Sequence, residues 1–152
     1  MGAWGVKALD SDEGLDVVDF LMTHIPESHE FELSKLIVML KEEGFFGETF
    51  EDIDSFYDNS AMALAELYLM FFDTNMLNYD YQEYGESLRS VKSFTADKDA
   101  LCFLLRYLSD IRDNVPDSDG SRETVEMWQD SDSWDDWKTH LGHLIERIEN
   151  LI

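Results

Sequence analysis

The chain has 152 residues, 44% of them apolar, and sets 34 acidic against 11 basic side chains for a formal net charge of −23. That length and apolar content support one hydrophobic core without disulfide or metal staples and exclude a disordered chain. The charge repels nucleic-acid phosphates and anionic lipid, no apolar run is long enough to span a bilayer, and Met1-Gly-Ala-Trp-Gly-Val6 is no secretory leader, so the expectation is a cytoplasmic protein that binds neither nucleic acid nor membrane.

In chain order, a first helix is predicted to begin at Asp10 or Ser11, where Asp10 and Glu13 have capping-box spacing. Leu15, Val18, Leu21, Met22 and Ile25 recur at helical spacing behind it, and Pro26 ends the segment. A second helix is predicted over 32–43 on the stripe Leu33, Leu36, Ile37 and Leu40, with Gly44 as its stop. Phe50, Ile53, Phe56 and Tyr57 suggest a short helix resting on the core. A third long helix follows from Asn59 or Ser60 to Phe72, apolar almost all round with Glu66 the main exception, and so belongs at the centre of the fold.

In the stretch 73–96, Tyr79, Tyr81 and Tyr84 alternate with polar residues, which fits a short strand or a tyrosine-rich loop; a loop with a brief helix over 86–91 is the preferred reading. A further helix is predicted over 97–114 on Leu101, Leu104, Leu105, Leu108 and Ile111, stopped by Pro116. The run 116–120 is a turn by composition, and Ser121 is positioned to cap a short helix carrying Val125 and Trp128. Ser133 and Asp136 have capping-box spacing at the start of a last helix through Trp137, Leu141, Leu144, Ile145, Ile148 and Leu151. The sum is an all-α protein: a compact single domain over 1–152, an array or bundle of about six or seven helices with no convincing paired strands.

Little in this pattern announces chemistry. Asp10-Ser-Asp12, Asp117-Ser-Asp119 and Asp130-Ser-Asp132 suggest calcium loops, but their twelfth positions hold Leu21, Trp128 and Leu141 where a bidentate Glu is needed. No nucleophile elbow, phosphate loop or dinucleotide fingerprint is present, so no catalytic residue and no cofactor is assigned. His140, His143 and Glu146 are spaced by three on the last helix, which is one way to present metal ligands, although a flank of the core stripe explains them as well. The single cysteine, Cys102, sits in an apolar run and reads as a small buried hydrophobe. Trp4 reads as the anchor of a glycine-flanked arm, Trp128 and Trp137 as core, and Trp134 as the most exposed tryptophan.

The acidic excess peaks from Asp110 to Asp136, with ten acids against Arg112 and Arg122. Asp117, Asp119, Asp130, Asp132, Trp134 and Asp135 are therefore the candidate partner-binding residues.

Two groups of residues carry a family resemblance. The opening Met1-Gly-Ala-Trp-Gly5 followed by Asp10, Asp12 and Leu15-Asp16, and the closing Ser121-Arg-Glu-Thr-Val-Glu-Met-Trp128 with Trp137 and Leu144-Ile-Glu-Arg147, resemble a bacterial family known only as domain of unknown function 4259. Ser60-Ala-Met-Ala-Leu-Ala-Glu66 is similar to that family's alanine-rich central helix. The resemblance implies a small bacterial cytosolic protein and supplies no activity. Three readings follow: a module that binds a basic protein, as an immunity protein masks a toxin; a metal-dependent enzyme built on His140, His143 and Glu146; or acidity that serves solubility alone.

Overall fold

A computed structural model describes residues 5–78, 87–116 and 122–152. Among the described residues six α-helices surround one core: α1 (Asp12–Thr23), α2 (Leu33–Glu42), α3 (Ser55–Thr74), α4 (Lys98–Arg112), α5 (Glu123–Gln129) and α6 (Trp134–Glu149). Two short strands, β1 (Glu30–Glu32) and β2 (Ser93–Thr95), pair in parallel with Phe31 opposite Phe94. The mainly helical class holds, and the strand pair is the addition. A 3-10 turn at Leu88–Ser90 takes the place of the brief helix expected over 86–91. Tyr79, Tyr81, Tyr84, Trp4, Asp117, Asp119 and Ser121 lie outside the described residues.

Helix α3 is the axis of the fold. It packs against α1, α4, α5 and α6, and from Asp58 to Leu69 every residue is buried. Ala61, Ala63 and Ala65 let those neighbours approach closely, while Leu64 and Leu67 fill the space between them. The helix begins at Ser55, earlier than the apolar run suggests, because the Asp54 side chain accepts the Phe56 backbone N–H and caps it. Phe56 and Tyr57 thereby become its first turn, and the separate short helix expected over 50–57 does not form. Phe50 instead joins Phe46, Phe103 and Tyr107 in an aromatic cluster with ring centroids 5.2–5.4 Å apart.

The ends of the other helices follow from local chemistry. Ser11, not Asp10, caps α1: its Oγ accepts the Gly14 N–H at 3.1 Å. Asp10 closes a 3-10 turn, Ala8–Asp10, packed so tightly on α1 that a Cβ on Gly14 would lie 1.9 Å from the Ala8 carbonyl oxygen. At the end of α2, Gly44 has φ +83°, and two hydrogen bonds, Gly44 N–H to Lys41 O and Phe45 N–H to Leu40 O, close a Schellman motif. Asn114, with φ +50°, does the same for α4. Ser133 occupies the cap position of α6 without a side-chain hydrogen bond, so the expected capping box with Asp136 is absent. Cys102 is exposed on α4; Tyr107 takes a core position on that helix instead.

One ion pair ties α3 to α5. Arg122 precedes α5 and donates from Nη1 to Asp58 Oδ1 at 2.5 Å, and both side chains are 1% exposed. Arg122 also donates from Nε to the Val115 carbonyl and from its backbone N–H to Asn114 Oδ1, so the end of α4 joins the same knot. Burial pushes the Asp58 carboxyl up to about 7, with the charge of Arg122 and the nearby Thr124 hydroxyl pulling the other way. Asp58 Oδ2 and Thr124 Oγ1 are both buried without reaching hydrogen-bond geometry, which leaves Arg122 as the main support of the carboxylate.

Arg122→Leu is expected to cost about 3–5 kcal/mol in urea unfolding, because it strands a buried carboxyl, whereas Asp58→Leu combined with Arg122→Leu recovers most of that loss. The carboxyl has an ordinary value of 3.8 and about 7 in the fold. Its contribution to stability is therefore complete below about 3.8 and is lost as pH rises through about 7. Wild type should accordingly lose unfolding free energy relative to Asp58→Asn across that window, measured by denaturant titration at a series of pH values.

Candidate functional site

Two places on the molecule gather side chains that the core alone does not require, and α6 contributes to both. At its N-terminal end, Trp134 and Trp137 stand one turn apart, and Trp128 reaches them from the end of α5. Trp137 is buried in the middle of the stack. Trp128 lies 5.9 Å from it with planes 11° apart, and Trp134 lies 5.7 Å away at 17°. The two outer rings are half-buried. The link between the helices is fixed by Ser131, whose Oγ donates to the Trp128 carbonyl and accepts the Ser133 N–H.

Along the 123–136 segment that carries the stack the side chains of Glu123, Glu126, Asp130, Asp132, Asp135 and Asp136 are exposed, and Met127 is 41% exposed. Asp135 and Asp136 sit in the first turn of α6, where the helix dipole favours a negative charge. Lys138 answers this group locally: its Nζ lies 3.5 Å from Asp135 and 4.8 Å from the centre of the Trp134 ring. Of the candidate partner-binding residues, Trp134 and Asp135 are joined through Lys138, and Asp130 and Asp132 are exposed on the link just before them. Met127 and the exposed side of Trp128 belong to the same segment. Trp128 is not wholly core, and its place in the stack depends on the fold of the 130–133 link, which helical spacing does not encode.

The second place is a cleft of about 380 Å³ between the Ala8–Asp10 turn, α3 and α6. Glu66, which projects from the middle of α3 and is 7% exposed, forms its inner end. The Ala8 N–H donates to its Oε2 at 2.7 Å and the Leu9 N–H to its Oε1 at 2.9 Å. His140 Nε2 lies 2.8 Å from Oε2; since a carboxylate only accepts, that nitrogen carries the proton. The charged residue that interrupts an otherwise apolar helix is therefore buried and fully employed, as the anchor of the N-terminal turn. Outside it, Arg147 grips Asp73 through both terminal nitrogens.

His140, His143 and Glu146 do not come together as ligands. His140 is turned to Glu66, while His143 and Glu146 share a shallow recess with Arg147 and Asn150. Among the described residues no group of three His, Cys, Asp or Glu side chains is placed to hold a metal ion. No helix among them is long and apolar enough to cross a membrane.

A family model described as Domain of unknown function (DUF4259) matches residues 2–140. No curated protein and no solved structure matches the chain.

Glu66→Gln would place an amide N–H where two backbone donors and a histidine already point. A loss of about 2–3 kcal/mol is expected, together with faster hydrogen exchange at the Ala8 and Leu9 amides, read by NMR.

Proposed function

The chain belongs to the family described as Domain of unknown function (DUF4259), and on that premise we propose that it is a protein-interaction module whose α5–α6 corner binds a basic protein. The observation that carries this reading is the tryptophan stack on a chain segment, 123–136, that also exposes six carboxylates. Each half supplies what the other lacks. Exposed charges steer a basic partner towards the corner and raise the rate of encounter, but each exposed pair adds little lasting affinity. An aromatic surface at the centre of an interface supplies that affinity, and rings already held in a stack lose little freedom on binding.

The cation over Trp134 favours the same polarity. Lys138 lies against the ring face as an arginine or lysine of a partner would. Much of the chain's positive charge is meanwhile engaged internally: Arg122 is buried against Asp58, Arg147 grips Asp73, Lys35 pairs with Glu32, Arg106 with Asp110 and Arg112 with Asp113. The net of −23 is left largely to the surface, where it attracts rather than repels a basic protein.

Affinity capture from lysate of the source cells, at low and high salt, tests the proposal. A basic protein should be retained at low salt and released at high salt. Asp130→Asn, Asp132→Asn and Asp135→Asn combined should slow its association, and Trp134→Ala should weaken the purified complex at least about tenfold, the effect of losing one interfacial aromatic anchor. Retention of no basic protein at either salt, or capture indifferent to both variants, overturns the reading.

A further inference from the structure

We propose that the cleft between the Ala8–Asp10 turn, α3 and α6 is a binding site for a small monocarboxylate with an apolar tail. The inference begins with size and floor. At about 380 Å³ the cleft is in the range of small-molecule sites, and Leu9, Leu69, Met70 and Leu144 give it an apolar surface. The polarity of the ligand follows from which groups at its mouth are already used. Both acids are committed: Glu66 to two backbone N–H groups and His140, Asp73 to Arg147.

The lysine and the second histidine of the lining are not so engaged. Lys7 and His143 line the cleft, are exposed, and have no carboxylate partner among the described residues. A site whose carboxylates are already paired, and whose spare groups are the Lys7 ammonium and the His143 ring N–H, takes an anion; its apolar floor takes a hydrocarbon. The valence follows from the charges. Lys7 and Arg147 against Glu66 and Asp73 sum to zero, on a chain whose total is −23. One negative charge can be met by the Lys7 ammonium, with the His143 ring N–H as a second donor, while a dianion would bring a second charge to a mouth whose other cation, Arg147, is held by Asp73. At physiological salt the field of the whole surface is screened beyond about 8 Å, so contacts at the mouth decide.

The probe is octanoate, titrated into the full chain at physiological salt by calorimetry and by amide NMR. One saturable site is expected, with shifts at Leu69, Met70 and Leu144. Lys7→Gln with His143→Gln, two exposed positions whose loss leaves the core intact, should weaken binding at least tenfold. Octan-1-ol, with the same tail and no charge, should bind at least tenfold more weakly than octanoate. Trp134→Ala should leave octanoate binding unchanged, which separates this site from the acidic corner. No saturable binding, equal binding of the alcohol, or indifference to the double variant overturns the proposal.

Discussion

A helix buried on every side must find a partner for each polar group it carries, and α3 carries several. Asp58 is met by Arg122, Asn59 by Glu13, and Glu66 by the Ala8–Asp10 turn and His140. Ser60 is satisfied within the helix, by the Phe56 carbonyl. Apolar packing would tolerate some rotation or sliding of the outer helices, because the hydrophobic effect has no direction. The polar contacts do not, since an unpaired buried carboxylate costs far more than a slightly worse apolar fit. Each one pins a different element: Glu13 fixes α1, Arg122 fixes the approach to α5, and His140 fixes the rotation of α6.

Both proposed surfaces are by-products of that arrangement. Once His140 is turned inward to Glu66, the spacing along α6 carries Trp137 into the core beneath Trp128 and leaves Trp134 at its edge. The same rotation sets His143 and Arg147 along the lip of the cleft. Burying Arg122 has a further effect. It withdraws from the surface one of only two basic residues between Asp110 and Asp136, and the acids around it are left facing solvent.

Helices α2, α4 and α6 were legible because each combines a clean apolar stripe with charged residues on the other face. Leu33, Leu36, Ile37 and Leu40 are all buried, as are Leu101, Leu104, Leu108 and Ile111. The start of α3 was harder to see, because Phe56 and Tyr57 belong as readily to a separate element and the Asp54 cap is one acid among many. The β1–β2 pair is invisible for a different reason: three residues per strand give too short an alternation, and the partners are more than sixty positions apart. The candidate sites divide the same way. Acidic density pointed to Asp130, Asp132 and Asp135 directly. The cleft could not be read, because Glu66 and His140 are related only through the fold, and a single Glu in an apolar helix looks like a solvent-facing exception. Cys102 misled because its apolar neighbours lie on both sides of α4, and the cysteine itself falls on the outer one.

The partners of α3 are far from it along the chain: 46 positions separate Asn59 from Glu13, 64 separate Asp58 from Arg122, and 74 separate Glu66 from His140. This has a kinetic meaning for a chain made from one end. The Ala8–Asp10 turn is made before α3 and stays unanchored until Glu66 has emerged. Asp58 then waits for Arg122, and Glu66 for His140, while a largely apolar helix has its outer elements still missing. Such a chain must defer its final docking until His140 has been made, and it folds more slowly than a bundle of neighbouring hairpins of equal helix content.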